Sequence, residues 1–155
     1  MGRDAPDEES SLERFVRAQG PLIDQVRAEL TAGRKTTHWM WFVFPQIRGL
    51  GSSPMAQRYA IASLEEAVDY LRHPILGERL ATCAARVNAI QDRPIEAIFG
   101  DPDHLKFHSC MTLFARAAAR ANLPAYATVF RAAIEKYFAG REDVRTLELI
   151  DLHGA

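Results

Sequence analysis

The chain has 155 residues and a formal net charge of −1 at pH 7, and 48% of its residues are hydrophobic. This length and composition are typical of one soluble globular domain with a single hydrophobic core. The nearly balanced charge disfavours nucleic acid as the main partner, because duplex-binding proteins usually carry a basic excess. No apolar run is long enough to cross a membrane, so we expect no membrane partner either.

The amino-terminal segment does not have the pattern of a signal or transit peptide. Residues 1–9 are rich in acidic side chains and predict a flexible tail, whereas residues 10–155 predict a single helical domain. Without a secretory signal, the two cysteines Cys83 and Cys110 are typical of reduced thiols. We therefore expect a cytoplasmic protein, while the sequence specifies neither its oligomeric state nor a cofactor.

Short amphipathic helices are predicted along the first third of the chain. Ser10 with Glu13 forms a capping box that begins the first helix. Gly20-Pro21 ends it and begins a second helix, which stops near Gly33. The core-facing positions follow the helical repeat; they are Leu12, Phe15, Val16, Leu22, Val26 and Leu30.

The apolar run from 38 to 44 has no clear period. A run of this type and length is compatible with a buried strand or a buried helical turn. Thr37 could cap a helix and the neighbouring elements are helical, so we favour a short helix. Pro45 ends the run in either case, and residues 46–53 predict a loop.

The rest of the chain also predicts helices that are separated by proline and glycine. Ser53-Pro54 is a cap followed by a first-turn proline, and Ser63 with Glu66 is a second capping box. Asp101-Pro102-Asp103 predicts a strong helix start with an acid near the positive end of the helix dipole. The resulting fold class is mainly α, a compact single-domain bundle of six to nine mostly short helices.

Six sequence runs resemble a known family. They are His38–Gln46, Gly49–Ser53, Ala56–Tyr59, Glu66–Leu71, His73–Gly77 and Lys106–Phe114. The family is the domain of unknown function numbered 1810, to which the name calpastatin is sometimes attached. The resemblance implies a compact, mainly helical domain and no established activity. The calpastatin name has no support here, because inhibitors of that kind are long, repetitive and disordered.

One position departs from the family pattern. Cys110 stands where the resemblance leads us to expect serine, which argues against a thiol nucleophile there. Cys83 lies on the apolar stripe of its helix and is expected in the core.

The segment around the two tryptophans is the first candidate site. Aromatic faces could stack on a planar ring, while Lys35, His38 and Gln46 supply charge and hydrogen bonds. The alternative is that the aromatic side chains are core residues and that His38 caps a backbone group. For Trp41 we favour the core, whereas for His38 with Trp39 both interpretations stay open.

Two further groups could bind an anion. The loop with Gly49, Gly51 and Ser53 opens a helix, where backbone N–H groups can bind phosphate or carboxylate, although glycines are also common in turns for conformational reasons. Lys106 and Ser109 share one face of a helix. They could be two donors for an anion, a base with its nucleophile, or a solvated lysine with a serine that bonds to its own helix.

A metal site is disfavoured. His104 and His108 have the spacing of a shared metal site, but no third ligand completes it and the zinc-protease pattern is absent. We therefore predict no metal ligand, and we assign no catalytic residue.

The leading hypothesis is a domain that binds or processes a small anionic or nucleotide-like ligand in a polar-aromatic pocket. An ADP-ribose or NAD derivative is suggested by analogy with helical proteins that process ADP-ribose derivatives and carry a tryptophan- and histidine-rich segment. The alternative is a non-catalytic protein-interaction module with an exposed apolar patch that includes Trp41 or Tyr59. The predicted ligand-binding residues are Lys35, His38, Trp39, Gln46, Gly49, Gly51, Ser53, Tyr59, Lys106 and Ser109.

Overall fold

The computed structural model describes residues 11–154, so the Ser10–Glu13 capping box and the 1–9 tail lie outside the described residues. The mainly α fold class is confirmed. Seven of the ten helices in this range have seven or more residues, and three single turns take the number above the expected six to nine. The helices are α1 Glu13–Gln19, α2 Ile23–Thr31, α3 Met40–Val43, α4 Pro54–Arg58, α5 Leu64–Arg72, α6 Leu76–Ala89, α7 Ile95–Phe99, α8 Asp103–Arg120, α9 Pro124–Phe138 and α10 Val144–Gly154.

Helix α8 is the central element. It packs against α5, α7, α9 and α10, while α6 packs against α2, α5 and α9. Two aromatic side chains on its core-facing side, Phe107 and Phe114, are fully buried. The Phe107 ring lies 5.1 Å from the ring of Phe44 and 4.9 Å from that of Phe99, measured between centroids. This aromatic cluster attaches the 38–44 segment to the core.

The 38–44 segment is a single helical turn, as favoured, and not a strand. α3 covers Met40–Val43 and Phe44 leaves the helical conformation immediately before Pro45. The following loop pairs with the chain after α4 through one parallel bridge between Ile47 and Ile61. In this bridge the Ile61 N–H donates to Gln46 O, and the Arg48 N–H donates to Ile61 O, each at 2.8 Å.

The predicted serine caps are confirmed at two helices. Ser53 Oγ accepts from the Ala56 N–H at the start of α4, and Ser63 Oγ accepts from the Glu66 N–H at the start of α5. The second capping box differs in one respect, because the Glu66 carboxylate accepts from the Ala62 N–H, one residue before the cap.

The start of α8 corrects one prediction. Pro102, not Asp101, occupies the cap position, no side chain caps the helix, and the Asp101–Pro102 peptide bond is cis. Asp103 does lie in the first turn as expected. Its carboxylate is directed to two lysines, as described below, so the acid serves a tertiary contact in addition to the helix dipole.

Both cysteines are buried and free, which places Cys83 in the core as predicted. Burial raises the pKa of the Cys83 thiol to about 11 and that of Cys110 well above its ordinary value. Within residues 11–154, no helix combines the length and the apolar composition that a membrane crossing requires.

Candidate functional site

A single buried carboxylate organises the segment between α2 and α3. Glu29 is 5% exposed and lies in the last turn of α2, although an acid there is unfavourable to the helix dipole. The Thr36 N–H donates to it at 2.7 Å, the Thr37 N–H at 3.1 Å and the Trp39 indole N–H at 3.0 Å. The Thr37 hydroxyl and the Gln25 amide also donate to it. Four of these five donors belong to residues 36–39, so the carboxylate fixes a segment that has no regular secondary structure.

The hydrogen bonds around Glu29 change its acidity. Burial alone would raise the pKa of this carboxyl group, because it penalises the charged form. The donors on Thr37, Thr36 and Gln25 outweigh burial and lower the pKa from 4.5 to about 2. Glu29 is therefore charged at neutral pH, and its charge is stabilised by the dipoles of uncharged hydrogen-bond donors.

Next to this segment two lysines share one aspartate. Lys35 Nζ lies 2.9 Å from an Asp103 carboxylate oxygen, and Lys106 Nζ lies 3.5 Å from the other. The Lys35 side chain is 8% exposed, whereas that of Lys106 is 26% exposed. We call these three residues the lysine–aspartate cluster. It carries one net positive charge, and Lys106 is its looser member.

The two tryptophans have different environments. Trp39 is fully buried, and its indole N–H bonds to Glu29. Trp41 is only half-buried, although we favoured a core position for it. The Lys106 ammonium lies 5.3 Å from the Trp41 ring centroid, a cation–π distance. Of the two tryptophans, Trp41 is therefore the one that is partly available at the surface, and it is absent from the predicted ligand-binding residues.

Trp41 also forms one wall of a small cavity, which we call the Trp41 cavity. Its volume is about 20 Å³, room for one or two water-sized groups. The parallel bridge between Ile47 and Ile61 holds two of its walls side by side, the loop after α3 and the chain at the end of α4. The residues that line it are Trp41, Gln46, Ile47, Gly49, Gly51, Ala56, Tyr59 and Ala60.

Two glycines let the loop approach its neighbours closely. Gly49 has a φ of +107°, and a Cβ there would lie 3.0 Å from a methyl carbon of Leu149. A Cβ at Gly51 would lie 2.6 Å from the Cβ of Ala56. The glycines are therefore required for conformation and packing, independently of any ligand.

The wall of the cavity that contains Tyr59 and Ala60 is held by a buried arginine. Arg14 is 7% exposed, and its guanidinium donates to the backbone oxygens of Arg58 and Ala60, each at 2.8 Å. These carbonyls flank Tyr59, so Arg14 fixes the backbone on both sides of that ring. The Glu66 carboxylate lies 3.9 Å from the same guanidinium and compensates its charge.

Two polar side chains that line the Trp41 cavity have polar groups that make no hydrogen bond to the described part of the protein. Neither the Gln46 amide nor the Tyr59 hydroxyl makes a hydrogen bond to a residue in the described range 11–154. Tyr59 is only 9% exposed. In the same range, only Asn88 Oδ1 is both sealed from solvent and without a hydrogen-bond partner. The Tyr59 hydroxyl oxygen, which also lacks a partner, is therefore still in contact with solvent. Both groups are available to a ligand.

Other predicted residues have protein partners. The Ser53 hydroxyl caps α4. The Ser109 hydroxyl lies within hydrogen-bond distance of Leu105 O and of the Asp143 carboxylate, at 3.2 and 3.0 Å. No hydrogen bond joins Lys106 to Ser109 within the described range, so the pair does not have the geometry of a base and its nucleophile. His38 is exposed at the surface.

The paired histidines have structural environments. The His108 ring stacks on Phe138 at 3.9 Å between centroids, and its Nε2 contacts Arg141 O at 2.6 Å. His104 Nδ1 lies 3.2 Å from Gly100 O. Within residues 11–154, no group of three or more metal-ligating side chains is present.

The structure does not bring all ten predicted residues together in one pocket. Four of them line the Trp41 cavity, and Lys106 and Lys35 are connected to it through Trp41 and Asp103. Trp39 and Ser109 direct their polar groups to protein partners, Ser53 caps α4 and His38 is exposed. The four lining residues are Gln46, Gly49, Gly51 and Tyr59.

Comparison with known proteins gives one family and one close structure. The family described as "Protein of unknown function (DUF1810)" matches residues 9–150. The crystal structure of the conserved hypothetical protein Rv1873 from Mycobacterium tuberculosis is 56% identical in sequence, with a TM-score of 0.85. The match covers 90% of this chain and 96% of that chain. A search of curated proteins gave no match.

Proposed function

We propose that this chain, which belongs to the DUF1810 family of proteins of unknown function, binds a small anionic ligand at the Trp41 cavity. The observation that carries the proposal is the double role of Trp41. Its indole lines a cavity with two unpartnered polar side chains, and the same ring carries the Lys106 ammonium at 5.3 Å. An aromatic face, a cation and free hydrogen-bonding groups are the usual components of a site for a small charged molecule.

The charge distribution supports an anion. The lysine–aspartate cluster keeps one positive charge after Asp103 is counted, and none of the eight residues that line the cavity is acidic. Lys106 is paired at the longer distance and is the more exposed of the two lysines. A partly solvated ion pair of this kind is weak, so an incoming anion can compete with Asp103 for Lys106.

The cavity size limits how the ligand can bind. A volume of about 20 Å³ accepts a small polar group but not a purine ring. A nucleotide-like ligand, such as an ADP-ribose or NAD derivative, would therefore place its ring on the exposed part of the Trp41 indole. Its phosphates would remain outside the cavity, near Lys106.

The alternative of a protein-interaction module needs an apolar patch that includes Trp41 or Tyr59. Tyr59 is 9% exposed, and Trp41 is half-buried beneath a lysine. The polar character of this surface is the reason that we favour a small ligand over a protein partner.

A thermal-shift assay tests the proposal. The wild-type protein would be measured with AMP, NAD, ADP-ribose, inorganic phosphate and benzoate, next to Lys106→Met, which removes the charge and keeps much of the stem. A ligand present at one hundred times its Kd stabilises the folded protein by about 2.7 kcal/mol. For a chain of this size, this raises the melting temperature by roughly 5–10 °C. We expect such a rise in the wild type and a much smaller one in Lys106→Met.

Arg131→Met is the matched control, because Arg131 is an exposed cation on α9. It should respond to ligand as the wild type does. If no compound raises the melting temperature, or if Lys106→Met responds as strongly as Arg131→Met, ligand binding at this site is wrong.

A further inference from the structure

Resting on the proposed function, we infer that the group that enters the Trp41 cavity is a carboxylate and not a phosphate. The inference concerns the chemical class of the ligand and depends on three features of the cavity: its unpartnered donors, its volume and its lack of acidic residues.

The unpartnered side chains match a carboxylate. The Gln46 amide can donate through its NH₂ group, and the Tyr59 hydroxyl can donate its single proton. No residue in the described range accepts either of these hydrogens. A carboxylate has two oxygens that accept hydrogen bonds, so one oxygen could take the Gln46 proton and the other the Tyr59 proton. Hydrogen bonds to an ionised acceptor are the stronger kind.

The volume distinguishes the two acid classes. A planar carboxylate brings two oxygens on one carbon, which suits a space of about one or two water-sized groups. A phosphate monoester brings three terminal oxygens in a tetrahedral arrangement and needs more room on every side. The walls resist expansion, because Gly49 and Gly51 are already in close contact with neighbouring elements and Arg14 fixes the backbone around Tyr59.

One cation lies next to a wall of the cavity, although it is not among the residues that line it. The Lys106 ammonium lies over Trp41, which is itself a wall of the cavity. Asp103 retains Lys35 when Lys106 turns towards the ligand, so the aspartate is not left without a cation.

The test compares benzoate with phenyl phosphate, two probes with the same ring and different acidic groups, and with benzamide as the neutral analogue. Binding is followed by NMR through the indole N–H signals of the two tryptophans. Trp39 is a buried internal reference, and Trp41 is the reporter. We expect benzoate to shift the Trp41 signal and to bind at least about tenfold more tightly than either of the other probes.

Three variants locate the bound group. Tyr59→Phe and Gln46→Met each remove one hydrogen-bonding side chain with little change in size, and each should weaken benzoate binding about fivefold to tenfold. Tyr126→Phe is the control, because Tyr126 lines a different cavity beside Leu123 and Pro124. An unchanged Trp39 signal shows that each variant is folded.

The outcomes separate this inference from the proposed function. If phenyl phosphate binds at least as tightly as benzoate and loses that binding in Tyr59→Phe and Gln46→Met, the carboxylate inference is overturned and anion binding stands. If benzamide binds as well as benzoate, the inference is overturned in the same way. If no acidic probe moves the Trp41 signal, both are overturned. Benzoate binding that is lost in both cavity variants supports both.

Discussion

Replacement of Glu29 by glutamine should be strongly destabilising, because this α2 side chain holds the loop before α3. The carboxylate accepts five hydrogen bonds, and a glutamine would turn an NH₂ group towards donors that need an acceptor. The pKa is lowered from 4.5 to about 2, and a shift of this size corresponds to about 3 kcal/mol of stability at pH 7. For a chain of this length, that is a fall of roughly 6–12 °C in melting temperature.

The sign of the pH dependence follows from the direction of the shift. The pKa of Glu29 is lower in the folded than in the unfolded chain, so its contribution is complete above about pH 5. The contribution is lost as the pH falls from 4.5 towards 2, and about 2 kcal/mol of it should be gone at pH 3. The difference between wild type and Glu29→Gln should therefore shrink on acidification.

Urea unfolding at pH 7 and at pH 3, followed by tryptophan fluorescence, measures both effects. Glu78→Gln is the matched control, because Glu78 is exposed on α6, and it should change stability by less than about 0.5 kcal/mol. A Glu29→Gln protein within about 1 kcal/mol of wild type at pH 7 would refute the reasoning. A difference that is the same at both pH values would refute its electrostatic part.

Three further changes have expected outcomes that urea unfolding would check. Gly77→Ala should lower the free energy of unfolding by at least about 2 kcal/mol, because the added Cβ would lie 2.1 Å from the Leu71 carbonyl oxygen. The control Gly154→Ala should be neutral, because a Cβ there would have nothing within 4 Å. Equal stability of the two variants would contradict the close approach at Gly77. Arg14→Met should lower the free energy of unfolding by about 3 kcal/mol, because it leaves three backbone carbonyls without their donor. A neutral result would show that water replaces the guanidinium as donor. Ser109→Ala should lower the free energy of unfolding by about 1 kcal/mol through its lost contact with Asp143, the residue before α10. A larger loss would indicate a role beyond that contact.

Local signals in the sequence were sufficient for most helix positions. The caps at Ser53 and Ser63 act through neighbours three residues away, so their effect is visible in the sequence itself. The pair His73-Pro74, which separates α5 from α6, also acts through neighbours in the sequence. His73 Nδ1 accepts from the backbone N–H groups of Ile75 and Leu76, as a cap does.

The candidate site was less predictable because its contacts join distant residues. The pairing of Lys35 with Asp103 connects positions far apart in sequence, and no local pattern indicates it. Trp39 and Trp41 are both large aromatic residues in one apolar run, yet only tertiary packing decides which is enclosed. One signal was available for Glu29: an acid in the last turn of a helix opposes the dipole, which suggests a partner elsewhere.

The anchoring of residues 36–39 by one carboxylate has a consequence for exchange with solvent deuterium. The Thr36 and Thr37 amides lie outside the helices, where amide hydrogens usually exchange rapidly. Because both bond to Glu29, they should instead exchange as slowly as helical amides. The Trp39 indole hydrogen bonds to the same carboxylate, so all three should become labile in a single opening event. The segment beside the proposed site would then behave as one cooperative unit.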